Sequence, residues 1–431
     1  MIIRGRHNEA KVMTENIEES AIERVHKMCN LDYLEGTNIV MMPDVHEGKG
    51  CAIGTTIKFE LGKKVRISPS HIGVDIGCGM SMYPLGKLDN IDFEGLDKHI
   101  HKHISTYPRT EEEDINFWEM MTETDDESNL LKFFIGRAVT DVTNMNFKIP
   151  NVKKVASSIG TLGNGNHMIE IGKNSEEEYF LIVHTGSRYV GAEIAKHYQN
   201  LAIENHNKID VQPIIAELKK QNKHQLIHPT IKYIQSLDIE SQYEDDNCYL
   251  EGEDLDDYIE DQIVATFYAT INRWLITSVI LNFFGIKWDK TDQKDSPHNY
   301  IDDGMSTIVR KGACSARENE DVIIPINMRD GVIYGKGKGN KEWNYSAPHG
   351  AGRMLSRRKA KETLDMHEFK EQMKDVYSTT VVEDTLDEAP KAYKSMDDIL
   401  NNIKETVDVV DIIKPVYNFK GIENKKWWEK K

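Results

Sequence analysis

The sequence predicts a mixed α+β fold in which strands converge on a polar pocket and helices lie outside. Three observations point there. Short apolar runs, Asn38–Met42, Ala52–Phe59, Met168–Ile171 and Phe180–Val183, each lead into or out of a glycine-bearing turn that carries histidine, asparagine or aspartate. A long helical stripe of Ile259, Ile263, Val264, Phe267, Ile271, Leu275, Val279 and Phe283 runs through residues 254–284 and reads as a core helix. No internal repeat and no long linker divides the chain. Residues 1–431 are therefore expected to form one catalytic domain, with a helical and acidic excursion around 207–290.

Composition narrows the function classes. The chain has 39% hydrophobic and 29% charged residues and a formal net charge of −17. That balance argues against a protein that coats nucleic acid, but it permits a local basic groove, because the field at a site follows the distribution of charge. Five scattered cysteines, odd in number and without a CxxC pair, speak against a disulfide framework and for a reducing cytoplasm. The opening Met-Ile-Ile-Arg-Gly-Arg lacks a signal-peptide apolar region. The apolar stretch Thr266–Phe284 is interrupted by Asn272, Arg273 and Asn282, so it reads as a buried helix and no membrane span.

In chain order, Ile17, Ala21, Ile22, Val25 and Met28 predict a short amphipathic helix over 15–29. The loop Pro43–Gly50 carries Asp44 and His46, and His46 is read as a turn or surface residue. Next, Asp75-Ile-Gly-Cys78 places a carboxylate and a thiol three residues apart among Gly73, Gly77 and Gly79. Such a pair could face one metal ion, although alone it reads as a structural cysteine beside a turn aspartate. Residues 90–150 look helical, and His99, His101 and His103 are read there as solvated. A glycine-rich approach delivers Asn166 and His167 into a strand. A second strand ends in His184-Thr-Gly-Ser187-Arg188, a turn able to hold phosphate. Tyr189–His206 is expected as a helix.

Further on lie Ser296-Pro-His298-Asn299, Arg310-Lys311-Gly-Ala and the turn at Pro325–Gly331. Gly335–Asn340 lacks the Walker spacing, so no P-loop is assigned. Helical patterns follow around Phe369–Val376 and Met396–Thr406. The richest stretch is His349-Gly350-Ala351-Gly352-Arg353, where glycines let the backbone approach a bulky anion. A helix starting at Met354 is expected to aim its N-terminus at the same ligand, and Arg353 to add a donor fork for phosphate.

Asp75, Cys78, His167, His184 and His298 are too many ligands for one tetrahedral structural zinc. They fit two metals bridged by Cys78, one adding Asp75 and His167, the other His184 and His298. Two such ions suit phosphoryl transfer. His349 is then free to act as a nucleophile towards an α-phosphate.

Asp75-Ile-Gly-Cys78-Gly-Met, Gly163-Asn-Gly-Asn166-His167, His184-x-Gly-Ser-Arg188, His298-Asn299, Arg310-Lys-Gly-Ala and His349-Gly-Ala-Gly-Arg353 together resemble the signature set of the RtcB RNA ligase family. They occur in the family's order, between about Pro43 and Lys420. The resemblance implies a β-sandwich-like centre around a metal pocket. It also implies a GTP- and Mn²⁺-dependent ligase, with two Mn²⁺ per chain, acting in RNA repair or tRNA splicing. Its substrates would be RNA ends bearing a 3′-phosphate or 2′,3′-cyclic phosphate and ends bearing a 5′-hydroxyl, with archease as a candidate partner.

By the same resemblance His349 would carry GMP. Asn166, His167, Glu170, His298, Asn299, Pro325, Met328, His349, Gly350, Ala351, Gly352 and Lys420 match nucleotide-binding positions, and Ser187, Arg188, Arg310 and Arg353 match phosphate- or RNA-binding ones. The chain departs from the family at Ile326-Asn327, where Gly-Ser is usual, and in the ten residues after Gly421, which include Lys425, Lys426, Trp427 and Trp428. Two rival readings keep most of the same residues. One is a binuclear-metal phosphodiesterase or nuclease in which water attacks and His349 acts as acid or base. The other is a non-catalytic RNA-binding or metal-storage protein.

Overall fold

The computed structural model describes residues 1–122, 128–207, 211–235, 243–304 and 306–422. Its framework is two large sheets. The six-stranded sheet runs in the order Ile2–Arg4, Glu9–Val12, Asn38–His46, Ile53–Lys58, Thr307–Lys311, Asn299–Asp303. The strand Asn38–His46 is buried almost throughout and extends past the expected Met42. Its pairing with Ile53–Lys58 shifts register between Met41 and His46. Pro43 has no N–H to give to a ladder, which accounts for the irregularity there. The distortion turns the Asp44 side chain fully into the interior.

The seven-stranded sheet is antiparallel throughout, in the order Asp321–Asn327, Gly331–Gly337, Val407–Lys420, Met168–Lys173, Tyr179–Thr185, Gly79–Gly86, Lys294–Pro297. It curls until it nearly closes. Met80, Met82, Met168, Ile182, Ile323, Val332 and Ile413, contributed by six of its strands, pack together inside the curl. Mixed α+β architecture with sheets around a central site is thus what the chain forms.

The helix Glu253–Phe283 is the main external cover, and acidic Glu253, Asp254 and Asp256 in its first turn suit the positive end of its dipole. By length and composition it could cross a membrane, but 67% of its apolar window is buried within the protein. Asn272 and Arg273, which break its apolar pattern, are fully buried and hydrogen-bonded to the loops around the central site.

The helix Phe93–His103, capped by Asp92 through Gly95 N (2.9 Å), lies against it. Here one expectation fails. His99 bonds the Val279 carbonyl (2.9 Å) and packs on His103 with ring centroids 4.6 Å apart, so only His101 of the three histidines is solvated. The first helix forms as expected, at Glu19–Met28, and the region 90–150 is helical at Phe93–His103, Glu111–Thr122 and Ser128–Asn144. In the acidic excursion the described residues form Gln212–Lys220 and Ile227–Gln235. The C-terminal patterns become the helices Met366–Gln372 and Met396–Asn402. The tail with Lys425, Lys426, Trp427 and Trp428 lies outside the described residues.

Candidate active site

The ligand-type residues come together because four strand ends meet at one end of the curled sheet. His184 sits opposite Met80 on one side and opposite Met168 on the other. That register places Cys78, just before Gly79–Gly86, and His167, just before Met168–Lys173, beside it. His298 follows Lys294–Pro297 and is tied in by His298 N donating to the Cys78 carbonyl (2.8 Å). Asp75 and Cys78 share a tight turn closed by Cys78 N and the Asp75 carbonyl (3.1 Å). Gly186 makes room alongside, since a Cβ there would displace the Asp75 carboxylate.

Two triads result, Asp75–Cys78–His167 and Cys78–His184–His298, and Cys78 belongs to both. The distances are 2.9 Å from Asp75 Oδ2 to His167 Nε2, 3.5 Å from Cys78 Sγ to His167 Nε2, 3.4 Å from Sγ to His184 Nε2, and 3.3 Å between His184 Nε2 and His298 Nε2. His167 Nδ1 donates to the Leu162 carbonyl (3.0 Å) and His184 Nδ1 to the Asn166 carbonyl (3.2 Å). In the neutral His184 ring that bond leaves Nε2 as a bare lone pair facing the sulfur, while His167 Nε2 lies between the sulfur and the Asp75 carboxylate. Such convergence is repulsive unless cations lie between, so the donor set fits divalent metal ions.

The electrostatics agree. Burial drives the His184 and His298 pKa values well down, keeping both rings neutral. Burial would raise Asp75, but the hydrogen bond from His167 and the nearby charges bring its carboxyl below the usual range. Burial and the Asp75 charge push the Cys78 thiol up, so its deprotonation goes with metal binding.

The long helix braces the loops. Arg273 Nη1 donates to the Gly77 (2.9 Å) and Thr185 (3.1 Å) carbonyls, while its Nε pairs with Asp295 (2.9 Å). Asn272 accepts from Gly160 N (2.6 Å) and donates to the Thr161 (3.1 Å) and Gly186 (3.2 Å) carbonyls. Asn299 links Asp75 O (3.2 Å) to Gly312 N (2.8 Å).

His349 follows the short strand Ser346–Pro348, with its ring 4.8 Å from that of His298. Its Nδ1–H donates to Asp44 Oδ2 (2.6 Å), and its backbone N–H reaches the same oxygen (3.2 Å). The pair fixes the ring and leaves Nε2 as the available nitrogen. Gly352, at φ +78°, has no room for a side chain against the Asp44 backbone. Lys394, 2% exposed, donates to the Asn16 (2.7 Å), Pro43 (2.9 Å) and Val45 (3.1 Å) carbonyls, and its own N–H binds the Gly352 carbonyl (3.0 Å). It therefore clamps the backbone on both sides of Asp44 to the loop after His349.

Asp44 and Lys394 escape sequence reasoning. The available signal for Asp44 was an acid, after a proline, in an otherwise apolar run. His46 is no ordinary surface residue either. It is partly buried, bonds the Asp44 carbonyl through Nδ1 (2.8 Å), and burial lowers its pKa to about 4.

The remaining candidates divide. Glu170 is fully buried, accepts from Asn418 Nδ2 (2.7 Å), and is pushed up to about 8 by burial. Glu170 Oε1 and Asn418 Oδ1 are buried acceptors without a donor. Lys420 Nζ binds the Asn166 carbonyl (3.3 Å) and Glu388 (3.2 Å). Pro325 presents its carbonyl towards Gly350, and Ala351 is buried. Met328 instead packs against Phe369 and Met373 in a separate core. At the departure from the family, Ile326 is buried in the core and Asn327 accepts from Arg329 N (3.0 Å) and Asp330 N (2.9 Å), forming the turn.

Of the expected phosphate contacts, Arg188 lies at the site, 3.3 Å from His167 Nδ1. Three others have internal partners. Ser187 donates to the Ile76 carbonyl. Arg310 is fully buried on Ser346, Tyr300 and Asp302. Arg353 gives its fork to Glu388, Tyr393 and the Asp387 and Leu355 carbonyls. The expected helix at Met354 begins only at Arg357, because Ser356 caps it by accepting from Lys359 N (3.3 Å), so its end does not adjoin Gly352.

A cavity of about 560 Å³ opens beside Asn166, Asp75, Cys78, His298, Asn299 and His349. Larger cavities elsewhere, such as the one of about 610 Å³ by Phe133 and Phe267, do not adjoin either ligand triad.

Known proteins are similar to this chain over nearly its whole length. Residues 25–421 match the family model described as tRNA-splicing ligase RtcB. Two Escherichia coli proteins, RNA-splicing ligase RtcB1 and RNA-splicing ligase RtcB, are each 28% identical over 410 residues, covering 89% of this chain and 90% of the relative. The tRNA-splicing ligase RtcB of Nanoarchaeum equitans is 24% identical over 459 residues, covering 89% and 88%. With the match spanning residues 25–421, this chain belongs to the tRNA-splicing ligase RtcB family.

Proposed function

We propose that the chain joins an RNA end bearing a 3′-phosphate or 2′,3′-cyclic phosphate to a 5′-hydroxyl end, through GMP carried on Nε2 of His349. The observation that carries this reading is the Asp44–His349 pair (2.6 Å), which holds Nδ1 and leaves Nε2 free on a ring 4.8 Å from that of His298. In the first half-reaction Nε2 attacks the α-phosphorus of GTP, a P–N bond forms and pyrophosphate leaves. A cyclic phosphate is opened by water to a 3′-phosphate, whose oxygen then takes the GMP and frees His349. Attack by the 5′-hydroxyl on the activated phosphorus forms the phosphodiester and releases GMP.

Guanine fits these buried groups with Glu170 ionised. Its Watson–Crick edge offers adjacent N–H donors to Glu170 Oε1 and Asn418 Oδ1, whereas adenine places an acceptor at the corresponding ring nitrogen. The proton that burial keeps on the free protein's carboxyl therefore leaves as the nucleotide binds. Asp75, Cys78, His167, His184 and His298 would hold two divalent ions, Mn²⁺ by family resemblance, which supply positive charge for phosphate oxygens. Five buried free cysteines suit a reducing cytoplasm, and archease is a candidate partner by family resemblance.

The test is a joining assay with GTP and Mn²⁺, using one RNA ending in 2′,3′-cyclic phosphate and one beginning with a 5′-hydroxyl. One GMP released per junction is the expected result. Hydrolysis of the phosphate end without joining and without GMP would replace this reading by the water-attacking phosphodiesterase.

A further inference from the structure

The cavity beside His349 does not end at the metal ligands. It continues past Lys311 to the helix Arg188–His206, whose Lys196, Gln199 and Asn200 form its far wall, and Val74 stands at its rim. Four features of this arm have no use in holding metal or in attaching a nucleotide. Val74 is 71% exposed although aliphatic, on the short loop between Gly73 at φ +95° and the ligand Asp75. Gln199 Nε2 donates to the Asp245 carbonyl (2.5 Å), which fixes its amide and leaves Oε1 buried without a donor. Lys311 is buried with its ammonium on the Lys49 and Ser70 carbonyls. Lys196 is exposed and makes no ion pair among the described residues. The acid at the mouth, Asp246, is balanced by Lys49 (3.2 Å).

We propose that this arm seats the terminal nucleoside of the RNA strand that ends in phosphate, an assignment that rests on the RNA-joining reading above. Lys196 meets the strand's anionic end with the buried Lys311 charge adding to the field behind it, Val74 offers an apolar platform to the base, and Gln199 Oε1 accepts one base N–H. Each of the four bases has an N–H on its pairing edge, so the contact tolerates any base. The 5′-hydroxyl strand is the weaker candidate because its end carries no charge to meet the two ammonium groups. Glu170, Asn418 and Lys420 do not line this cavity, so the guanine base and the RNA base have separate seats while their phosphates meet at His349.

Binding is measured on the full chain by fluorescence anisotropy, with labelled RNA oligonucleotides that end in 3′-phosphate and carry either a normal or an abasic terminal residue. The abasic end is expected to bind about tenfold more weakly, as loss of one stacked base does. Val74→Asp and Gln199→Leu should weaken the normal strand comparably and remove most of the abasic penalty. Lys196→Ala, at an exposed position that carries little folding risk, should weaken both strands. Wild-type binding by all three variants would overturn the assignment, as would an abasic penalty confined to the 5′-hydroxyl strand. Failure of the ligase reading is seen separately, as absence of GMP on His349, and leaves the binding contrast interpretable.

Discussion

Asp44 decides what His349 can do. By accepting Nδ1–H it specifies the tautomer whose Nε2 is a lone pair. Asp44→Ala removes the acceptor of both Nδ1–H and the His349 backbone N–H, so neither the ring nor its tautomer is held. Nucleotide attachment should fall by about a hundredfold or more with metal content unchanged, followed by quenched-flow labelling and metal analysis. Cys78 is the one donor common to both triads, so Cys78→Ala should deplete both metals, and retention of two metals per chain would remove it as the bridge.

Glu170 gives a pH signature. Its carboxyl, raised from 4.5 to about 8 by burial, stays protonated in the fold where the unfolded chain has lost the proton. The folded chain then holds more protons, and stability falls as pH rises between those values. Glu170→Gln should flatten that slope in thermal unfolding without nucleotide. The ligand residues were legible in the sequence because thiol, carboxylate and imidazole recur beside glycines. Lys394 was not, since its role exists only through three carbonyls brought together by folding.

At the scale of elements, the helix Glu253–Phe283 is both cover and brace. Its apolar stripe announced a buried helix. Asn272 and Arg273 looked like interruptions of the stripe, yet they hold the Gly77, Gly160, Thr185 and Gly186 backbone beneath the ligands. Arg273→Leu removes the cationic partner of Asp295, which keeps only its bonds from Ser81 and Trp274, and takes a donor from two carbonyls; it should cost about 3 kcal/mol in denaturant unfolding while weakening metal affinity. The same substitution without loss of metal affinity would show the ligand loops to be self-supporting. Helix starts were less legible than helix cores. Ser356 moved one start beyond the expected position because a cap outweighs a favourable helical run.

For the whole molecule, mixed architecture followed from alternating strand and helix patterns, but strand order did not. Neighbours such as Gly331–Gly337 and Val407–Lys420 are far apart in sequence, and no local pattern encodes their pairing. Net charge was a poor guide to the site. A chain at −17 still brings Lys49, Lys196 and Lys311 around one cavity, because the acids lie mainly elsewhere or are paired. That cavity joins the His349 centre to the arm along the helix Arg188–His206, so one opening would serve chemistry and RNA together.

The central claim is that His349 becomes covalently charged with a guanylate. Protein incubated with Mn²⁺ and α-labelled GTP, denatured and run on a gel, should carry the label. His349→Ala should lose it while keeping wild-type metal content. No label on metal-loaded protein, or label that persists in His349→Ala, would contradict the account.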